Sequence, residues 1–294
     1  MKNNSNVTAN LSEALSLGLL AVVGFSGTMP ATRLCVAELD PFFVALARGM
    51  GAALIAGVFL LARREAPPAG RHLSSLALVA LSLVLGFPLL SAWALTSVPA
   101  SEGAMVLAFV PTLTALFGVL RSGERPATSF WLANAVGLVA VLWFLQSGPR
   151  ALVAGHLALL LAAVLSAFGY TEGARLARHM PGLSVVCWSL VLSLPLLAPA
   201  LVLGLLPLER AVHTPAWLGL AYVSVISMFL AFVPWYAAMA KGGIALTAQI
   251  QLLQPLLSVC WAAWILGEPL SARLWITLAI VLGSIVVSRR FVRR

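Results

Sequence analysis

Apolar residues run along this chain in ten blocks, at about 12–32, 41–62, 73–95, 99–120, 127–146, 153–177, 183–206, 215–240, 243–266 and 270–289. A helix rises 1.5 Å per residue, so about 20 such residues cross the hydrocarbon of a bilayer. Strands of a membrane barrel would be shorter and would alternate strictly between apolar and polar. The pattern therefore predicts an all-α membrane protein of ten transmembrane helices. Its breaks are short: Arg63 to His72 (RREAPPAGRH), His179 to Gly182 (HMPG) and Leu208 to Pro215 (LERAVHTP) gather charge, proline and glycine as connectors do. None has room for a soluble domain. The third and fourth blocks are joined by TSVPA and the eighth and ninth by Lys241-Gly242-Gly243, which predicts two tight antiparallel hairpins.

One block is written twice. Pro111 to Glu124 (PTLTALFGVLRSGE) returns as Pro255 to Glu268 (PLLSVCWAAWILGE), with the prolines and both Gly-Glu pairs 144 residues apart. That is about half the chain, so the unit duplicated is five helices. An odd number of spans forces the second copy into the membrane upside down. Two inverted five-helix repeats follow, over 12–146 and 153–290 behind a cytoplasmic tail of residues 1–11, with a solute site expected at the midplane between them.

Composition excludes the soluble classes. At 61% hydrophobic and 9% charged, with a mean hydropathy of +1.02, the chain has too little polar surface to cover a globule of 294 residues. Its net charge of +9 is placed for topology rather than for nucleic acid. Of 18 basic residues, four (Arg33, Arg150, Arg210, Arg273) fall on one side of the bundle, Arg48 lies within a span, and the other thirteen fall with the termini. The positive-inside rule then puts both termini in the cytoplasm, and the basic end SRRFVRR anchors the last helix on anionic lipid. Trp131, Trp143, Trp217 and Trp275 stand near block ends, where an indole buries its ring and keeps its N–H wet. The first block is read as a retained helix rather than a cleaved leader. Cys35, Cys187 and Cys260 show no disulfide or zinc spacing. His72, His156, His179 and His213 form no metal motif, and neither a phosphate loop nor a Gly-x-Ser-x-Gly elbow is present. No cofactor is expected, and the enzyme classes lack their parts.

Pro111 with Gly123-Glu124-Arg125-Pro126, Pro255 with Gly267-Glu268-Pro269, Leu46-Ala47-Arg48-Gly49 in the second block and Gly24-Phe25-Ser26-Gly27-Thr28 in the first together resemble the drug/metabolite transporter superfamily, in its branch built from two EamA domains. The resemblance covers nearly the whole chain. It implies an exporter of amino acids or other small metabolites in a bacterial inner membrane, with a cavity lined by both halves, and is nearest to the YddG-type amino-acid exporters. One departure matters: the four-span multidrug pumps of that superfamily carry an essential carboxylate inside the first helix, and here only Glu13 stands at its edge.

Candidate site residues are polar or aromatic groups deep in spans, where they are expensive to keep. Thr247, Gln251, Gln254 and Ser258 share one face of the ninth span, and amides donate and accept without adding net charge, as a zwitterion requires. Ser224, Ser227, Ala231 and Trp235 share a face of the eighth, with Tyr236 alongside and Trp93 at the corresponding place in the first half. With Ser26, Thr28, Phe109 and Tyr170 these complete the expected substrate-binding set. Interhelical hydrogen bonding or core packing would explain the same residues. Glu102 and Glu172 are candidates for proton coupling, although Glu102 also suits a helix N-terminus and Glu172 can pair with Arg175. Arg48 is expected to bind carbonyls between helices or a substrate carboxylate. Glu124 and Glu268 are read as turn and capping elements. The expected partners are a small-molecule substrate and membrane lipid, in a monomer or homodimer. A multidrug exporter of lipophilic cations is the alternative, and a membrane enzyme or scaffold comes last.

Overall fold

The computed structural model describes residues 2–122, 128–146, 153–203, 211–238, 241, 250–251 and 253–290. Each of the ten blocks holds a helix: α1 (Ser12–Val36), α2 (Pro41–Ala62), α3 (Gly70–Ala94), α4 (Ala100–Arg121), α5 (Thr128–Gln146), α6 (Ala154–Leu176), α7 (Gly182–Leu203), α8 (Thr214–Ala238), α9 (Leu253–Leu266) and α10 (Ala272–Arg290). Seven of them, α1 to α4 and α6 to α8, are long and apolar enough to cross a membrane, and three shorter apolar helices stand in α5, α9 and α10. Leu54, Val58, Leu120, Leu132, Val139 and Trp264 are among the large apolar side chains exposed on the outside of the bundle, as a lipid-facing surface demands.

Equivalent helices of the two halves pack on each other. The most extensive pairings across the halves are α3 with α6, α5 with α10 and α2 with α7, and the last two join the fifth and second helices of each half. A second sign of duplication lies in the backbone. The α-helical ladder of α3 gives way to a π-turn over Ala80–Gly86, and that of α8 to one over Tyr222–Leu230. Moving the first by 144 residues lands inside the second. Each stands ahead of a proline, Pro88 and Pro234, whose missing N–H already interrupts the ladder.

Proline also explains the break in α1. Pro30 cannot bond the carbonyl of Ser26, four residues earlier, and the helix shows a turn at Gly27. In a membrane the freed carbonyl must find another donor. Ser258 of α9 provides it, its hydroxyl donating to Ser26 O at 2.7 Å, while Trp261 Nε1 donates to Ser26 Oγ at 3.0 Å. The kink is thus a joint between the halves.

The repeated Gly-Glu has a similar meaning. Gly267 ends α9 with φ of 65°, where only glycine is at ease, and its N–H bonds Ala263 O at 3.1 Å. That turn delivers the Glu268 carboxylate to the start of α4 in the other half. There it accepts from Ala100 N at 2.7 Å, Ser101 N at 2.9 Å and Ser101 Oγ at 2.5 Å. An acid at a helix N-terminus meets its unsatisfied N–H groups and its dipole. Glu268→Ala is expected to lower stability by about 1–2 kcal/mol, as loss of a helix cap does, and Glu268→Gln by less; thermal unfolding of the purified protein measures both. The matching Gly123 and Glu124 lie outside the described residues.

Candidate functional site

A cavity lies between the two halves, with about 1130 Å³ of empty space when the part open to its surroundings is counted. Its walls use positions related by the repeat. Leu83, Leu107, Val110 and Pro111 of the first half line it, and so do Ser227, Gln251, Gln254 and Pro255, each 144 residues later. At three of these four pairs the chemistry differs, apolar in the first half and hydroxyl or amide in the second. The prolines that open the repeated block both stand in the wall.

Several residues expected from the sequence meet here. Thr28, Tyr170, Gln251, Gln254 and Ser258 line the cavity, and so does Ser227. Thr28 Oγ1 donates to Phe25 O at 2.6 Å, so the 2.7 Å contact between Thr28 and Ser227 has Ser227 as its donor. That bond ties α1 to α8. Thr247, the remaining member of the amide stripe, lies outside the described residues.

Other expected residues stand elsewhere. Ser26 is buried in the joint described above, away from the lining. Trp93 is 43% exposed on the outer surface, and Phe109 is packed in the core with Met29, Met105 and Phe144. Trp235 sits behind the wall, edge-on to the lining residue Phe25 at 5.8 Å between centroids. Tyr236 stacks on the lining residue Phe232 at 6.1 Å and covers Gly182, where any side chain would strike its ring. Both aromatics support the wall from outside the lining.

The cavity also draws on α2, whose Arg48 the sequence reading gave carbonyls between helices or a substrate carboxylate to bind, and on α7, which it left out of the site. Arg48 and Ser189 are each the eighth residue of their helix, and both line the cavity. Arg48 is 2% exposed, Ser189 is 1% exposed, and among the described residues Arg48 Nε and Nη1 and Ser189 Oγ have no hydrogen-bond partner. Phe87 places its ring 6.0 Å from the guanidinium. A single arginine in an apolar span was visible in the sequence; an unpartnered serine was not distinguishable from the other serines of α7.

The carboxylates are elsewhere. Five of the seven described acids tie one half of the protein to the other. Beside the Glu268 cap, Glu102 accepts from His156 Nε2 at 3.0 Å. His156 Nδ1 already accepts from Val153 N at 3.2 Å, so the ring is the neutral tautomer with its proton on Nε2. Glu38 accepts from His213 N at 2.7 Å and pairs with the ring at 3.0 Å, and these bonds hold its carboxyl below the usual carboxylate range. Toward the other end, Glu13 meets Lys241 at 2.9 Å, and the buried Glu172 is gripped by Arg121 of α4 at 2.5–2.8 Å and by Arg175 at 2.9–3.1 Å. The expected pairing of Glu172 with Arg175 is present; Arg121 as its partner across the halves, and His156 as the partner of Glu102, were not foreseen. Glu102 and His156 both stand in the first turn of helices that start at the same end, which was the only signal for that pair. Among the described residues no carboxylate lines the cavity, and no cluster of side chains is arranged to hold a metal.

An all-helical bundle of two similar halves around one polar-and-aromatic cavity is the architecture of a membrane carrier, and comparison with known proteins agrees. The EamA-like transporter family matches residues 12–146 and again 153–290. The chain belongs to that family and is a multi-pass membrane protein. It is 41% identical over 277 residues to the uncharacterized transporter YdeK of Bacillus subtilis, covering 94% of this chain and 96% of that one. It is 24% identical over 263 residues to the uncharacterized inner membrane transporter YedA of Escherichia coli K12, covering 87% and 83%. A crystal structure sharing 21% identity superposes with a TM-score of 0.69 over 96% of this chain and 98% of the other, a likeness of fold.

Proposed function

We propose that this protein is a secondary transporter of the bacterial inner membrane, with both termini cytoplasmic, that exports amino acids or similar small zwitterionic metabolites by alternating access. The observation that carries this reading is the cavity between the halves, walled by repeat-equivalent positions, in a bundle whose halves are joined by ties that cross from one to the other. A carrier needs a site that both halves share and contacts that open at one end while they hold at the other. Gln251 and Gln254 offer donors and acceptors to a zwitterion, and Phe25, Phe87, Tyr170 and Phe232 offer aromatic faces to its side chain. Glu102 and Glu172 are read as ties between halves rather than as proton carriers, because each carboxylate already has a basic partner in the other half. Export as the net direction rests on the family likeness.

The alternative, a carrier of lipophilic cations, finds aromatic walls but an arginine where a carboxylate would be needed. Counterflow into liposomes separates the two. Vesicles holding purified protein and preloaded with unlabelled amino acid are expected to take up the labelled amino acid saturably, faster than empty vesicles, and to ignore tetraphenylphosphonium. Gln254→Ala is expected to cut that flux about tenfold, equivalent to one lost hydrogen bond of ~1.4 kcal/mol in the site. Flux of the cation alone would transfer the protein to the drug-export class.

A further inference from the structure

We propose that Arg48 is the anchor for the solute's carboxylate, and that an α-ammonium is dispensable for binding. The inference rests on the transporter reading for its occupant and deepens it by naming the group recognised. Arg48 is buried, faces the cavity, and leaves Nε and Nη1 without a partner. A guanidinium stays charged at any physiological pH, and a bare buried charge costs several kcal/mol. Side chains of that kind in membrane spans pair with an acid or with carbonyls when their role is structural. Among the described residues Arg48 pairs with neither. Phe87 lies at cation–π range, which softens the cost and leaves the in-plane N–H donors free.

What the guanidinium fork fits is a planar anion with two oxygens, which takes two parallel N–H···O bonds. Among the described residues, the titratable side chains that act on Arg48 are Cys35 and Tyr170, a thiol and a phenol, both neutral in their ordinary ranges at pH 7. Glu102, Glu172 and Glu268, the acids nearest in sequence to the lining helices α4, α6 and α9, are bound in the ties between halves. The protein thus brings a cation to its cavity and, among the described residues, withholds every internal counter-ion. The anion must come from outside. For the same reason no fixed negative group waits for an ammonium, which meets only amide and hydroxyl dipoles. A carboxylate should be required and an ammonium merely tolerated, so simple monocarboxylates belong to the binding range alongside amino acids.

The test uses three matched sets of probes with the full-length protein in detergent and in liposomes: leucine, 4-methylpentanoate and leucinamide; phenylalanine, 3-phenylpropanoate and phenylalaninamide; alanine, propanoate and alaninamide. Thermal shift and counterflow are read for each. In at least one set the amino acid and the plain carboxylate are expected to bind and the amide to fail. Arg48→Gln is expected to weaken that binding about 30-fold or more, as loss of a buried charged contact does, with Arg48→Lys between it and the wild type. Because the empty site then holds no bare charge, Arg48→Gln without solute should melt at or above the wild-type temperature, whereas an arginine with a structural role would lower it. Amides that bind as well as their acids, Arg48→Gln binding acids as the wild type does, or silence of all six carboxylate probes would each overturn the proposal. The wild-type comparison of acid with amide decides even if the variants do not fold. Binding of acids through Arg48 without flux would sink the carrier reading and keep this one; equal flux of acids and amides would do the reverse.

Discussion

Gly219→Val is expected to prevent assembly of the bundle or to lower its melting temperature by roughly 10 °C. Gly219 stands where α8 crosses α1. A Cβ built there would lie 2.8 Å from the carbonyl oxygen of Ala31 and 2.9 Å from Cys35 Sγ. The first of these is backbone and cannot rotate away. Across the same crossing Cys35 Sγ donates to Ala216 O at 3.4 Å, so small residues on both helices let the backbones touch. In lipid, where apolar side chains gain nothing by leaving their solvent, that close approach is itself the source of association. Valine would force the helices apart, and overpacking of this severity costs about 3 kcal/mol, or some 6–12 °C for a protein of this size class. The two helices also carry Phe25, Thr28, Ser227 and Phe232 of the cavity wall, so any folded fraction should bind solute poorly. Gly283→Ala is the matched control: nothing lies within 4 Å of the added carbon on the exposed face of α10, and the variant should be as stable as the wild type or up to ~1 kcal/mol more so.

The second large effect is at Glu172. Its side chain is 1% exposed and its oxygens are held by Arg121 and Arg175, which are 41% and 43% exposed. Removing the acid leaves two guanidiniums close together and a hole between them. The arginines can rehydrate, so the cost falls below the 3–5 kcal/mol of a fully buried orphan charge; about 2 kcal/mol is expected for Glu172→Ala. Arg121→Ala alone should cost less, since Arg175 remains, and a double-mutant cycle between Glu172 and Arg121 should return a coupling of about 1 kcal/mol. Because α4 and α6 belong to different halves, weakening the tie should also change the transport rate under saturating solute, which purely local damage would not do. Unfolding in detergent gives the first number and counterflow the second.

The sequence revealed elements and symmetry far better than it revealed faces. Block lengths located all ten helices, and the spacing of Pro111 and Pro255 located the duplication, because both are signals along one dimension. The polar stripe of the ninth block was legible for the same reason: Gln251, Gln254 and Ser258 are polar against an apolar background and recur at helical spacing, although α9 itself begins only at Leu253. Trp93 and Phe109 mark the limit. A helix bordered by lipid on one side and core on the other is apolar all round, so nothing in its periodicity distinguishes the outward face of Trp93 from an inward one. Contacts between halves were equally hidden. Pro30 announced a free carbonyl at Ser26 but not that Ser258 would meet it, and Gly267-Glu268 announced a turn but not that its acid would cap α4. Arg48 could be recognised as costly from the sequence; that no partner awaited it was a fact of packing alone.

Access to the cavity from the two faces of the membrane is the most direct check on the transport pathway. In a variant freed of Cys35, Cys187 and Cys260, Ser189→Cys places one thiol in the cavity wall with little change of size. Reaction with a charged, membrane-impermeant methanethiosulfonate reagent is then followed from each side of oriented vesicles. Labelling from both sides, slowed by a transported solute, is expected of a cavity that opens alternately. Labelling from one side only, unchanged by any solute that crosses the membrane, would show that the space between the halves is not the route.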